Sequence, residues 1–282
     1  MKVQQFTRIA LSIGLIYSIG RTIPTNAQQP KYTTFLDWCQ NQGTISSDLK
    51  HTVQKLLGKV NTTDCQQGNK SLLALTSLDL PSNEIRNIEP LSNLTNLRSL
   101  FLESNQIGNL QALSSLKNLT TLVLDKNEID NIEPLANLTN LSALDLLNNK
   151  VTNIQPLSKL TKLKTLSLGS NRISNLQSLG NLRNLTLLVL DGNEIDNIEP
   201  LANLTNIDAL YLSNNKITNV QPLSKLTKLH ALSLRYNQLT TVQSLRNLPN
   251  LESISLEGNK FGNLTGCPLQ KPNISCIFTP KL

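Results

Sequence analysis

The sequence contains few aromatic residues and only two histidines. Phe, Trp and Tyr together make up 4% of the 282 residues, and the histidines are His51 and His230. The sequence contains no phosphate-binding loop, metal-ligand cluster or dinucleotide fingerprint. We therefore predict no cofactor and no metal site.

The sequence also lacks a strong charge excess and, beyond its first residues, a long apolar run. The formal net charge is +7. Lys2, Arg8 and Arg21 lie in a segment that we expect to be removed, which leaves +4. That excess is too small to indicate a nucleic acid or an anionic membrane as partner. Because no later segment is apolar enough to cross a bilayer, we expect no membrane span.

The N-terminus has the pattern of a secretory signal peptide. Lys2 and Arg8 form a short basic region, residues 9–20 are mostly apolar, and Thr25-Asn26-Ala27 supplies the small residues that a signal peptidase reads. The apolar run is too short to span a bilayer, which leaves an uncleaved amphipathic anchor as the less favoured alternative. We predict a signal peptide at 1–27 and a mature protein that is secreted, either periplasmic or extracellular.

The rest of the sequence is dominated by a repeat of 22 residues. A typical frame is Leu97-x-x-Leu100-x-Leu102-x-x-Asn105, followed by a second set of apolar residues. This leucine-rich pattern at a fixed period indicates a solenoid. The same turn position holds asparagine nine times, at Asn83, Asn105, Asn127, Asn149, Asn171, Asn193, Asn215, Asn237 and Asn259.

Each repeat predicts a short strand, a turn and a return path. In the strand, Leu100 and Leu102 should point inward while Ser99 and Phe101 point outward, because strand side chains alternate. The turn asparagine carries both donor and acceptor groups, so it can bond the backbone of its own turn and of the next repeat. We predict that the nine asparagines form a structural ladder.

The return path predicts the rest of the architecture. Five prolines stand where a short 3₁₀ turn would begin, a position that needs no backbone donor; they are Pro90, Pro134, Pro156, Pro200 and Pro222. The predicted fold is an α/β-type repeat solenoid, a leucine-rich-repeat horseshoe with a concave parallel β-sheet and short 3₁₀ turns on the convex side.

The segments on either side of the array are predicted to be caps. Thr34 precedes one short helical segment, and Ser47 opens a clearer helix. The array separates the two cysteine pairs by nine strands about 4.8 Å apart, beyond the Cα reach of a disulfide of about 7 Å. This leaves Cys39–Cys65 and Cys267–Cys276 as the disulfides. We predict a helical cap with a disulfide at 28–71, nine repeats at 72–264, and a C-terminal cap with a disulfide at 265–282.

A longer period is superimposed on the repeat. Residues 121–186 and 187–252 are identical at 46 of 66 positions, which indicates a tandem duplication of a three-repeat block. Several outward positions differ between the copies, as at Asp145 and Tyr211 or Gly169 and Arg235. Selection on the surface and simple drift both produce such a pattern.

The segment from Pro134 to Asn149 reads Pro-Leu-x-x-Leu-Thr-Asn-Leu-x-x-Leu-x-Leu-x-x-Asn and resembles the repeats of the internalins, exported bacterial leucine-rich-repeat proteins. The resemblance covers about residues 72–264. It implies the horseshoe fold and protein binding on the concave face. We expect neither the immunoglobulin-like module nor the wall anchor of many internalins, and the caps use cysteine pairs, so the host-invasion role is not expected.

The outward strand positions are the candidate ligand-binding residues. Aromatic side chains among carboxylates are typical of protein-binding patches, although single exposed apolar residues are also common on any surface. Lysines lie mostly in the return segments, so we expect an acidic concave face and no nucleic acid there. The candidates are Phe101, Glu103, Val123, Asp125, Asp145, Leu147, Val189, Asp191, Tyr211, Arg235 and Tyr236.

A catalytic alternative involves the second histidine. Asp208 and Glu252 occupy the position of His230 in the flanking repeats, and Ser233 is near in sequence. The row resembles a base with its orienting carboxylate. A charge pair at the rim of the sheet explains the same residues more simply. His51, on the cap helix, is expected to be solvated.

The sequence thus predicts an exported, non-catalytic and monomeric protein that binds a protein or peptide ligand on its concave face. The alternatives are binding of a carbohydrate or of the cell envelope, and a structural role in the envelope.

Overall fold

The computed structural model describes residues 32–262, 267–269 and 274–278. The described residues from Thr33 onward belong to one compact unit. The predicted signal peptide at 1–27 lies outside the described residues, as do parts of the predicted C-terminal cap.

Between residue 32 and the repeats the chain forms three helices: α1 (Phe35–Gln40), α2 (Ser47–Lys59) and α3 (Cys65–Leu73). The hydroxyl of Thr34 accepts a bond from the backbone N–H of Asp37, and the Asp37 carboxylate accepts one from the N–H of Thr34, which forms a capping box. The side chain of Ser46 caps α2. The two helices expected from the sequence are therefore present.

Helix α3 was not expected from the sequence. Asp64 caps it by accepting a bond of 2.7 Å from the N–H of Gln67. Gly68 lets α3 approach α2, because a Cβ at this position would lie 2.5 Å from a methyl carbon of Leu57. The Cys39–Cys65 disulfide joins α1 to the start of α3, with the two Cα atoms 5.6 Å apart.

The helices close the first end of the array through polar contacts as well as apolar ones. The buried hydroxyl of Thr52 donates to the carbonyl of Asn87 at 2.7 Å, and Asn93 accepts a bond from the N–H of Phe35 at 3.0 Å. The expectation of a solvated His51 was wrong. Its ring is half-buried and Nε2 lies 2.6 Å from the carbonyl oxygen of Asn83, so this side chain bonds the exposed end of the first turn.

The repeats form one parallel sheet in which the strands follow chain order. Equivalent residues of neighbouring repeats are paired throughout, as in Leu78, Leu100 and Leu122. Nine strands were expected, and the sheet formed by the described residues has ten, because the segment after the last repeat adds one. The strands are β1 Ser77–Asp79, β2 Ser99–Phe101, β3 Thr121–Val123, β4 Ala143–Asp145, β5 Thr165–Ser167, β6 Leu187–Val189, β7 Ala209–Tyr211, β8 Ala231–Ser233, β9 Ser253–Ser255 and β10 Ser275–Ile277.

Short 3₁₀ turns lie on the side of the array opposite the sheet. All five predicted prolines stand at the start of such a turn, which confirms their expected role. The predicted fold class is likewise confirmed. The turns are Glu89–Leu91, Gln111–Ser115, Glu133–Leu135, Gln155–Lys159, Gln177–Leu179, Glu199–Asn203, Gln221–Lys225 and Gln243–Leu245.

The core consists of stacked rows of Leu, Ile and Val between the sheet and these turns. The inward strand residues, such as Leu100, Leu122 and Leu166, are fully buried. One repeat cannot bury its apolar residues alone, so its stability depends on its neighbours. The second disulfide, Cys267–Cys276, ties strand β10 to the residues that precede it.

The turn asparagines bond one repeat to the next. The amide of Asn171 donates to the carbonyls of Leu146, Leu168 and Gly169 at 2.9–3.1 Å, and its oxygen accepts from the N–H of Val151 at 2.9 Å. The same pattern recurs from Asn105 to Asn259. Asn83 differs because no repeat precedes it, and its amide donates within its own turn to Pro81.

Candidate ligand-binding face

Two columns of outward side chains cross the sheet, and we call them the concave face. The first column consists of the last residue of each of strands β1–β9. The second lies two residues further along each repeat. The first contains Asp79, Phe101, Val123, Asp145, Ser167, Val189, Tyr211, Ser233 and Ser255, and the second contains Pro81, Glu103, Asp125, Leu147, Gly169, Asp191, Ser213, Arg235 and Glu257.

The columns are acidic and contain scattered apolar side chains. Six carboxylates and one arginine stand in them, although the whole chain is basic. Ten of the eleven candidate residues are half-buried, and the eleventh, Tyr236, is exposed beside the second column. The structure therefore brings these residues onto one surface.

The first section of this surface joins two apolar side chains to three carboxylates. Phe101 pairs with Val123 on the next strand, and Val123 pairs with Asp145. Burial raises the pKa of Asp125 above its ordinary value, and repulsion from Asp145 and Glu103 raises it further. This section therefore carries negative charge that nearby cations do not fully balance.

The middle section is apolar and packs closely around Gly169. A Cβ on Gly169 would lie 2.8 Å from a methyl carbon of Leu147 and 3.4 Å from one of Val189. Because Gly169 has no side chain, Leu147 occupies this space. Leu147 and Val189 thus form a continuous apolar surface across strands β4 to β6.

Asp191 is held by the following repeat. Its carboxylate accepts a bond of 2.6 Å from the backbone N–H of Ser213, whose hydroxyl lies 2.6 Å from the hydroxyl of Ser233. Burial raises the pKa of Asp191, while the bonds from the backbone and side chain of Ser213 partly oppose that rise. These contacts give the carboxylate one fixed orientation.

The last section presents an exposed aromatic ring. The Tyr236 side chain is 52% exposed, and its backbone lies in the left-handed region with φ of 53°. The ring lies over Gly258, where a Cβ would be 2.3 Å from a ring carbon. The guanidinium of Arg235 lies 5.6 Å from the ring centroid and forms an ion pair of 2.5 Å with Glu257.

Sequence reasoning missed the residues that support these side chains. Gly169, Ser213 and Gly258 carry no obvious signal alone, because small and polar residues are common on sheet surfaces. The repeat spacing contains the missing information: Gly258 stands 22 residues after Tyr236, and Ser213 stands 22 residues after Asp191. Comparing each outward residue with its neighbour one repeat later would have identified these contacts.

The row around His230 does not assemble the catalytic arrangement that was considered. Nδ1 of His230 lies 2.6 Å from Oδ1 of Asp208, so the histidine and its carboxylate are paired. The hydroxyl of Ser233 contacts Ser213 on the concave face instead of the imidazole. This geometry fits a cross-strand pair at the rim of the sheet.

In the described ranges no group of three or more His, Cys, Asp and Glu side chains is arranged to hold a metal ion. None of the helices in the described part of the chain combines the length and the apolar surface needed to cross a membrane.

Comparison with known proteins identifies the repeats. Residues 96–279 match the leucine-rich repeat region family, and residues 74–115 match a family of two leucine-rich repeat copies. No curated protein sequence matched the chain significantly.

Solved structures agree with this family. An internalin (inlF) of Listeria monocytogenes is 31% identical with a TM-score of 0.74, over 82% of this chain and 68% of the internalin. Internalin C2 of the same organism is 31% identical with a TM-score of 0.68, over 72% of this chain and 91% of that one. The ectodomain of the Arabidopsis thaliana receptor kinase GASSHO1/SCHENGEN3, solved with CASPARIAN STRIP INTEGRITY FACTOR 2, is 28% identical with a TM-score of 0.61, over 67% of this chain and 25% of the ectodomain.

Proposed function

The chain belongs to the leucine-rich-repeat family as an internalin-type protein, and we propose that it is an exported, non-catalytic module that binds a protein or peptide on its concave face. One observation carries the proposal: aromatic, apolar and acidic side chains lie side by side on the outward face of a sheet. The other face of this sheet is covered by the apolar core. The two disulfides support an oxidising compartment outside the cytoplasm. The complex of the plant receptor ectodomain supports a peptide or protein as the kind of ligand.

The ligand is expected to carry basic side chains between apolar ones. The six carboxylates of the two columns, against one arginine, attract cations, and burial raises the cost of leaving Asp125 and Asp191 ionised without a cation beside them. Phe101, Tyr211 and Tyr236 provide apolar anchors spaced along the array. Aromatic anchors within a polar rim provide most of the affinity in typical protein interfaces.

The aromatic anchors can be tested together. Replacing Phe101, Tyr211 and Tyr236 with Ala should reduce capture of the ligand by about a hundredfold or more, because such anchors each contribute at least about tenfold. The experiment immobilises the wild-type protein and the triple variant and compares what each retains from the surroundings of the exporting cell. Unchanged capture by a folded variant would remove the concave face from the proposal.

The acidic character has its own matched control. Changing Glu103, Asp125 and Asp145 to their amides should weaken binding of a basic ligand and reduce its dependence on salt. Changing Glu89, Glu133 and Glu199 to Gln removes the same charge from exposed 3₁₀ turns on the opposite side, and we expect no loss there. Equal losses in both variants would mean that only net charge matters. Strong retention of neutral glycans by the concave face would favour a carbohydrate ligand instead.

A further inference from the structure

A second charged surface lies away from the concave face, along the edge where the strands begin. Backbone bonds align the residues just before each strand into a continuous row, in which Thr186 bonds to Lys164, Asp208 to Thr186 and His230 to Asp208 at 2.8 Å. A parallel row two residues earlier is formed by asparagine amides, such as Asn206, which donate to the carbonyl of the preceding repeat.

This edge carries a concentration of positive charge. In the two rows, and in the residues that lead into them, stand eight exposed cations and two carboxylates, Asp208 and Glu252. The excess of six positive charges along this edge is larger than the net charge of +4 expected for the chain without residues 1–27. The difference arises because the concave face is acidic. We call these cations the basic edge: Arg98, Lys117, Lys159, Lys162, Lys164, Arg183, Lys225 and Lys228.

Two lysines of the basic edge, Lys162 and Lys228, are held by neutral groups. Nζ of Lys162 donates to the amide oxygen of Asn140 and Nζ of Lys228 donates to that of Asn206, each at 2.8 Å. Among the described residues no carboxylate forms an ion pair with either lysine. Each ammonium therefore keeps its full charge and has two further donors.

The opposite edge of the sheet shows what a compensated surface looks like in the same fold. Lys150 pairs with Glu128 at 3.4 Å and Lys216 pairs with Glu194 at 3.1 Å. These lysines also lie one repeat after their partners. On both edges a lysine therefore contacts the residue 22 positions before it. On the opposite edge that residue is glutamate, whereas on the basic edge it is asparagine, so the positive charge of Lys162 and Lys228 is not compensated.

An open groove of about 600 Å³ lies within the basic edge. Its lining combines one lysine and the His230–Asp208 pair with neutral polar side chains. The lysine is Lys228, and the neutral residues are Asn184, Thr186, Asn206 and Asn250. Amide and hydroxyl groups beside a fixed cation suit a ligand that has many hydroxyl groups and regularly spaced anionic groups.

We propose that the basic edge binds an acidic polysaccharide, with an anionic group of the chain on each fixed lysine and sugar hydroxyls in the groove. Lys162 and Lys228 stand three repeats apart, or about 15 Å at a strand spacing of about 4.8 Å, so one ligand that reaches both must be an extended chain. The duplication places lysines at equivalent positions of the two copies, because Lys159 corresponds to Lys225 and Lys162 corresponds to Lys228.

Two other polyanions fit this surface less well. Proteins that bind single-stranded nucleic acid stack bases on aromatic side chains, and none of the described aromatic residues lies in these rows. An anionic membrane surface would favour apolar side chains beside the lysines, whereas the groove is lined by polar ones. Both remain outcomes of the test.

The test uses alginate oligosaccharides, in which each sugar carries a carboxylate. Neutral dextran oligomers of equal length, a single-stranded DNA of equal charge and anionic lipid vesicles serve as comparisons. The full protein should bind alginate more tightly than the other three, and added salt should weaken the binding. Changing Lys159, Lys162, Lys225 and Lys228 to Gln should lower the alginate affinity by about tenfold or more, as expected when four positive charges are lost.

The matched control changes Lys126, Lys150, Lys216 and Lys260 to Gln, which removes the same charge outside the basic edge. This variant should keep its alginate affinity within about twofold, because screening limits distant charges. Equal losses in both variants, no binding of alginate, or preference for DNA, vesicles or dextran would each overturn the proposal. The concave-face anchors lie on a different surface, so these outcomes are independent of those for the proposed function.

Discussion

At the scale of single residues, the turn asparagine stabilises the fold by forming several buried hydrogen bonds with one side chain. Asn171 satisfies three carbonyls and one N–H in a site where its own side chain is 8% exposed. Water cannot reach these groups, so removing the amide leaves them without partners. The asparagine is invariant among the nine repeats because the turn needs both an acceptor and donors at one point.

We predict that Asn171→Ala lowers the free energy of unfolding by about 1–3 kcal/mol, the usual cost of stranded buried polar groups. Asn153→Ala is the control. Its side-chain oxygen accepts one bond of 2.9 Å from Gln155 in an exposed turn, so its loss should cost less than about 1 kcal/mol. Urea unfolding followed by circular dichroism measures both values. Equal destabilisation would contradict the role given to the ladder.

The ionised carboxylate of Asp125 would favour binding of a basic ligand, but it disfavours folding. Its pKa is raised in the folded protein above the ordinary value of 3.8, so the folded state binds protons more readily than the unfolded state. The penalty on folding therefore grows as the pH rises from the unfolded pKa to the folded pKa, is complete above the folded pKa, and disappears below the unfolded pKa.

We predict that Asp125→Asn raises the melting temperature at pH 7, with a gain that shrinks as the pH falls and vanishes near about pH 3, where both states are protonated. Asp130→Asn, at an exposed position in the same repeat, controls for the chemical change. Differential scanning calorimetry from pH 3 to pH 7 would measure both variants. A gain that persists unchanged at pH 3 would show that ionisation is not its cause.

At the scale of the structural element, the exposed turn after each strand determines which side chains can project from the surface. In seven of the repeats a residue other than glycine adopts φ of 51–57° at this position, and Tyr236 is the only aromatic residue among them. The ring of Tyr236 lies over the equivalent turn of the next repeat, which is Gly258. The position of the Tyr236 ring therefore depends on the absence of a side chain at Gly258.

We predict that Gly258→Ala weakens ligand capture because the new methyl group displaces the Tyr236 ring. Gly192→Ala is the matched control: Gly192 has φ of +66° against +70° for Gly258, but its Cβ would meet only Ser170, at 3.4 Å. Both changes should cost about 1 kcal/mol of stability, the usual penalty for alanine in the left-handed region. Only Gly258→Ala should reduce capture, and equal effects on capture would remove Tyr236 from the binding surface.

The sequence predicted those elements that the repeat period determines. The strand positions, the proline turns and the inward leucines all follow from a spacing that occurs nine times. Helix α3 was missed because it occurs once, although Asp64 and Gln67 have the spacing of an N-terminal cap. His51 was misjudged because its partner, the carbonyl of Asn83, is a backbone group 32 residues away that has no sequence signal.

The candidate site was predictable to the same extent. The outward columns follow from strand alternation, so the surface could be identified residue by residue. The bond from the N–H of Ser213 to Asp191 and the position of Tyr236 over Gly258 depend on side-chain orientation between repeats. The strand β10 was missed because Ser275–Ile277 lies outside the repeat pattern and joins the sheet only through its pairing with β9.

At the scale of the whole molecule, the array behaves as a sum of repeats that contact only their neighbours. Because residues 187–252 duplicate the preceding block, their removal should bring together strands that already fit. The junction would join Thr186 to Ser253 and pair β5 with β9. At the turn, Ser170 would then face Gly258 where it now faces Gly192, so the new seam preserves the native contact.

We predict that deletion of residues 187–252 gives a folded, shorter solenoid that unfolds with a lower urea midpoint and a smaller m-value, since m follows the surface exposed on unfolding. Deletion of 187–241 removes two and a half repeats and serves as the control. It should not fold, because apolar strand positions would then meet a return segment.

The shorter solenoid that lacks residues 187–252 should also lose affinity for both proposed ligands, since it lacks Tyr211, Tyr236 and Lys228. Circular dichroism and urea titration decide the outcome: an unfolded 66-residue deletion would mean that distant repeats depend on one another and that nearest-neighbour contacts do not account for the stability of the array.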